Sequence, residues 1–78
     1  MAQTLYAVVA NALNIDPAGV NEDSGLDATL NWDSLRQVIL ITEIERAYDV
    51  EFDLDTINKA TSVRSIREML SQKGVQAD

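Results

Sequence analysis

Asn31-Trp32-Asp33-Ser34-Leu35 leads directly into Arg36-Gln37-Val38-Ile39-Leu40-Ile41-Thr42-Glu43-Ile44-Glu45-Arg46-Ala47-Tyr48, and the reading of this stretch decides the fold. Val38, Leu40, Ile41, Ile44, Ala47 and Tyr48 recur at helical spacing and form a wide apolar face. Arg36, Gln37, Glu43 and Arg46 fill the remainder, with Glu45 at the edge. The pattern predicts a helix over 33–48, opening at Asp33 or Ser34. Asn31 or Asp33 is a suitable cap, because either side chain can accept a hydrogen bond from first-turn amides that lack an intrahelical partner. Leu35, Ile39, Thr42 and Arg46 follow i, i+4, i+7, i+11 and share a second face that points away from the core. Isolated exposed apolar residues are ordinary on any surface. These adjoin Ser34, the one hydroxyl in a defined setting, and are read as a docking strip.

Working outward, Leu5, Val8, Val9, Ala12 and Leu13 mark one stripe of a first helix over 3–14, with Thr4 or Gln3 near its start. Asn14 closes it, and Asp16 before Pro17 cannot continue it. Residues 15–32 hold no sustained period, yet Ile15, Val20, Leu26 and Leu30 suggest a long loop pinned to the core at several points. Asp23-Ser24-Gly25 superficially repeats Asp33-Ser34, but no apolar period follows, so it is read as a turn.

Beyond the central helix, Asp49 to Asp55 alternates acidic and apolar residues. A calcium loop starting at Asp49 would place Leu54 at the glycine position and Ala60 at the bidentate glutamate position, so that reading fails. An extended connector remains, with Val50, Phe52 and Leu54 touching the core. A short helix over 55–60 follows, capped by Asp53 or Asp55, with Ile57 and Ala60 inward. Thr61-Ser62 opens a last helix over 62–73 with Val63, Ile66, Met69 and Leu70 inside; Gly74 ends it and 74–78 should fray. The expected fold is all-α: one domain over 1–78, a four-helix antiparallel bundle of three main helices and one short one, with a long first loop.

Composition narrows the chemistry. Of 78 residues none is Cys and none is His, which removes disulfides, thiolate metal sites and the commonest general base. Thirteen acids against six Lys and Arg give a net charge of −7, a surface that repels nucleic acid and anionic lipid. No run approaches a membrane span, and the first residues lack the form of a signal peptide, so a cytoplasmic protein is expected. Ser34 has no activating histidine, and neither Lys59 nor Lys73 is tied to it by spacing, so a serine hydrolase is excluded on chemistry. Ser34 is then either a plain helix-start residue or a hydroxyl that another enzyme modifies. A phosphodiester there would lie at the positive end of the helix dipole, among unused amides.

Asp33-Ser34-Leu35 opening a long helix, with Tyr48-Asp49-Val50-Glu51-Phe52 behind it and Thr61-Ser62-Val63 starting the last helix, resembles the acyl carrier proteins over nearly the whole chain. The resemblance implies a carrier and no catalyst. It implies a 4′-phosphopantetheine arm on Ser34, placed there from coenzyme A by a phosphopantetheinyl transferase. The arm's thiol would hold acyl or aminoacyl groups as thioesters at high effective concentration near each partner. On the same resemblance Asp33 would help fix the helix start and the magnesium-assisted transfer, and Leu35 would contact partner enzymes. No metal would reside in the protein. Family members with long acyl chains can bury them between helices; here Val38, Leu40, Ile41, Ile44, Ile57, Ala60 and Ile66 could line such a gap or simply form a core.

The chain departs from the housekeeping fatty-acid type in carrying Trp32 before Asp33, and Arg36 and Ile39 where acids are typical, with Arg46 further along. Trp32 is read as packing on the loop; the alternative sets it beside the arm, within a partner face of Leu35, Ile39, Thr42 and Arg46. A mixed, partly apolar face makes packing matter more than charge steering. A monomeric carrier of a specialised pathway is expected, with a loading ligase and a downstream transferase or synthase as partners. The alternatives are a housekeeping fatty-acid carrier and an unmodified helical adaptor.

Overall fold

The computed structural model describes residues 4–77. Four helices follow in order, α1 (Leu5–Leu13), α2 (Ser34–Tyr48), α3 (Leu54–Lys59) and α4 (Val63–Gln72), with a single 3₁₀ turn at Pro17–Gly19 inside the long first connection. Thr4 caps α1 by accepting from the Ala7 N–H at 3.1 Å; the alternative start at Gln3 lies outside the described residues. Asn14 ends α1 in the left-handed region, at φ 57°, and donates its N–H to the Ala10 and Asn11 carbonyls. Asp16 then caps the 3₁₀ turn, whose first position is Pro17, where a missing N–H costs nothing.

The bundle is all-α. Among the described residues the only pairing of extended backbone is an isolated bridge between Gly25 and Ser62. α1 packs against both α2 and α4. Leu5, Val9 and Leu13 meet Leu40, Ile41 and Ile44 of α2 and Val63, Ile66 and Leu70 of α4, all essentially without solvent contact. α3 buries no residue fully, though its Ile57 is packed against this core.

Several expectations need correction. Val38, assigned to the core face, is 62% exposed, while Gln37, assigned to solvent, is 8% exposed. Consecutive helical residues point about 100° apart. The inward row runs through Gln37, Ile41 and Ile44, and that turns Val38 toward Leu35 and Ile39. Ala47 is also exposed. Leu30 and Leu54, expected to reach the core, are 74% and 73% exposed; Leu54 instead opens α3, one residue after its cap Asp53. Finally, the tail does not fray: the Val75 N–H bonds the Leu70 carbonyl, Arg67 donates to the Ala77 carbonyl, and Val75 and Ala77 pack half-buried on the core. Asp78 lies outside the described residues.

The long loop is fastened to α4. The Leu26 N–H donates to the Thr61 carbonyl, the Val63 N–H to that of Ser24, and the Arg64 N–H to that of Glu22. A Cβ on Gly25 would stand 2.6 Å from the Thr61 oxygen, so only glycine permits this approach. Glu22 receives two hydrogen bonds from Arg67, each 3.0 Å, and one from the Tyr6 hydroxyl at 2.7 Å; the guanidinium also lies 5.8 Å from the Tyr6 ring centre. Arg67 first, then Tyr6, holds the Glu22 carboxyl below its ordinary range, and the bond to Glu22 holds the Tyr6 phenol above its own. Three elements are joined at one carboxylate.

Candidate functional site

The approach to Ser34 is held by three anchors. Asn31 adopts φ 68°, and its amide donates to the Leu13 carbonyl at 2.9 Å, finishing α1 instead of capping α2. The Trp32 backbone N–H donates to the Thr29 carbonyl and its own carbonyl accepts from Asp27. The Trp32 ring, only 1% exposed, lies in the core, and its indole N–H donates to Gln37 Oε1 at 2.6 Å. Trp32 therefore supports the loop from below. Its burial agrees with packing on the loop and removes it from the partner face, the alternative placement: an indole of this size gains most by filling the core when its N–H finds an acceptor there.

With Trp32 sunk, the next residues emerge. Asp33 is exposed and extended, and its carboxylate accepts from the Arg36 N–H at 2.9 Å, making it the cap of α2. Its carbonyl accepts the first helical bond, from Gln37. Ser34 is the first residue of α2 and is exposed, and among the described residues no hydrogen bond engages its hydroxyl. The amides of Ser34 and Leu35 precede the helical ladder, at the positive end of a 15-residue dipole. A free hydroxyl in that field fits a phosphodiester linkage.

Around this hydroxyl the surface is apolar. Leu35 is 74% exposed, and Val38 and Ile39 follow it on the same side of α2. Thr42 is exposed, its hydroxyl turned back to the Val38 carbonyl at 2.9 Å. Arg46, also exposed, pairs with Glu43 at 3.4 Å. Leu35, Ile39, Thr42 and Arg46 thus share an exposed face, and Val38 and Leu30 add to the exposed apolar surface. Sequence reasoning missed Val38, although its i, i+3 relation to Leu35 could have assigned it to that face.

It also missed Gln37. Gln37 Nε2 donates to the Ala60 carbonyl at 2.6 Å and to the Ile57 carbonyl at 3.2 Å, while Oε1 takes the Trp32 indole. One side chain spans the segment before Ser34, α2 and the end of α3. A polar residue on the inward row of an apolar helix was the available signal.

A family model described as a phosphopantetheine attachment site matches residues 3–70. An acyl carrier protein of Thermosynechococcus vestitus is 31% identical over 71 residues, covering 91% of this chain and 88% of that protein. One from Phytoplasma mali is 31% identical over 70 residues, covering 90% and 83% respectively. The oxytetracycline polyketide synthase acyl carrier protein of Streptomyces rimosus is 41% identical over 56 residues, covering 72% of this chain and 58% of that one.

Proposed function

We propose, from the premise that this chain belongs to the acyl carrier proteins with their phosphopantetheine attachment site, that Ser34 is the attachment residue and that the protein serves a specialised biosynthetic pathway. Carriers of this family are not enzymes; their cofactor is covalent phosphopantetheine, and transferases and synthases in general are their partners. When bound, the group supplies a thiol that holds acyl cargo as a thioester.

The single observation that carries the Ser34 assignment is its exposed, unengaged hydroxyl at the opening of α2. In the transfer reaction, Ser34 Oγ forms a bond to the phosphorus of coenzyme A next to the pantetheine. The pyrophosphate P–O bond breaks, the nucleotide leaves with the electron pair, and the hydroxyl proton passes to the transferase. Asp33 keeps Ser34 at the first helical position by holding the Arg36 amide. Leu35, Ile39, Thr42 and Arg46 form the partner face, as their exposure allows.

Two features support the specialised reading. The face beside Ser34 is largely apolar and carries Arg36 and Arg46, and similarity to a polyketide synthase carrier is substantial over 56 residues. Cytoplasmic residence remains part of this proposal; no helix among the described residues is long and apolar enough to cross a membrane. Co-expression with a broad-specificity transferase should add one arm-sized mass increment, absent in Ser34→Ala. An increment that persists in Ser34→Ala would overturn the assignment. Rescue of cells lacking their own fatty-acid carrier would favour a housekeeping role.

A further inference from the structure

We infer that Gln37 bars the gap between α2 and α3, so that the cargo of this carrier is a short or polar acyl group held in solvent and not a long alkyl chain stored in the bundle. The inference rests on Ser34 as the attachment residue. Gln37 lies three residues beyond Ser34, about 4.5 Å further along the helix axis and turned about 60° from it. Behind it on the inward side stand Leu40, Ile41 and Ile44, with Ile57 and Ala60 facing them from α3 and its end. A chain entering this apolar space from Ser34 would meet the Gln37 amide first.

That amide is fully committed. It joins the Trp32 indole N–H to the Ile57 and Ala60 carbonyls by three hydrogen bonds of 2.6, 3.2 and 2.6 Å. Admitting an alkyl chain would separate α3 from α2 at this point. The indole N–H, the Ala60 carbonyl and the Gln37 amide would then lie beside hydrocarbon. Buried polar groups without partners cost more than the net gain from the bonds they lose. The buried indole already fills the space next to the Gln37 amide oxygen, to which it donates at 2.6 Å. A cavity of about 480 Å³ opens beside the long loop, but Asp16, Asn21, Asp23 and Ser24 stand in its wall with Ile15 and Leu30, a poor lining for a bare alkyl chain.

The test loads the full chain from acetyl- and octanoyl-coenzyme A with a broad transferase, checked by intact mass. Thioester cleavage by hydroxylamine is then timed, each rate divided by that of the parent coenzyme A thioester. A chain sequestered nine-tenths of the time would be protected about tenfold, whereas the expectation is about equal protection for the two groups. Methyl NMR of Ile41, Ile44, Ile57 and Ile66 should likewise be unchanged between the two loaded forms. Tenfold protection of the octanoyl form, or shifts in those methyls, would overturn the inference while leaving the Ser34 assignment intact. No mass increment at all would overturn that assignment and the inference with it. In Gln37→Met, octanoyl protection should rise and Trp32 emission should shift; a folded variant with neither change removes Gln37 from the explanation. Should Gln37→Met fail to fold, the wild-type comparison still decides.

Discussion

Beside Ser34 the chain sets Leu35, Val38 and Ile39 in solvent and leaves the Ser34 hydroxyl unengaged; around Glu22 it ties α1, the long loop and α4 together through Tyr6, Arg67 and three backbone hydrogen bonds. The two regions divide the work of a small domain. The Glu22 side supplies cohesion that a thin core lacks. The Ser34 side leaves apolar surface uncovered, which the proposed role assigns to partner contact. Trp32 and Gln37 lie between them, reaching from the core to the end of α3 and to the threshold of Ser34.

The largest test of this division is Trp32→Ala. Removing a fully buried indole should cost about 3–5 kcal/mol, comparable with the whole stability of many domains this size, and urea unfolding would show most of the transition lost. A wild-type midpoint would mean that the core does not depend on the ring. Gly25→Ala comes next. Its methyl would press on the Thr61 oxygen, and overpacking against backbone should cost about 1–3 kcal/mol. An unchanged midpoint would show that the loop yields easily and that the clamp is loose.

The Glu22 pair gives a smaller effect with a diagnostic pH dependence. Arg67→Met should lower stability near neutral pH by about 1 kcal/mol, since the pair is a third exposed and solvent screens it. Glu22 has its native carboxyl held below the ordinary 4.5, so between the two values the unfolded chain binds more protons. The contribution is therefore present above 4.5 and is lost as the pH falls through the lower native value. Urea midpoints across that range should fall less steeply in Arg67→Met than in wild type; parallel curves would break the comparison. Smallest of all in stability is Ile39→Glu, within about 0.5 kcal/mol. Its effect should appear in slower acyl transfer to partner enzymes, and full transfer rates would count against the apolar face as a docking surface.

The regularity of the apolar positions and the chemistry of the caps made much of the fold legible. Asp33 and Ser62 cap α2 and α4 because short polar side chains reach first-turn amides, a local matter that the sequence expresses directly. Ser34 could be singled out for the same reason: its place at a helix opening follows from its neighbours in the chain. Val38 and Gln37 carried weaker signals: Val38 stands at i, i+3 from both Leu35 and Ile41, and Gln37 is a polar residue in an apolar row. Periodicity counts an apolar residue as inward, but Gln37 is inward because partners remote in sequence, Ile57 and Ala60, present carbonyls to it. Leu30 and Leu54 show the converse, apolar residues that find no neighbour once the bundle closes.

Sequence alone determined the helices and the hydroxyl that heads the central one, and narrowed each cap to two candidates, since these depend on residues within a turn or two of each other. Tertiary structure alone decided which side of α2 faces inward, that the indole is sealed within, and that the loop and tail are tied down. Those outcomes depend on hydrogen-bond partners and surfaces brought together only when distant segments meet.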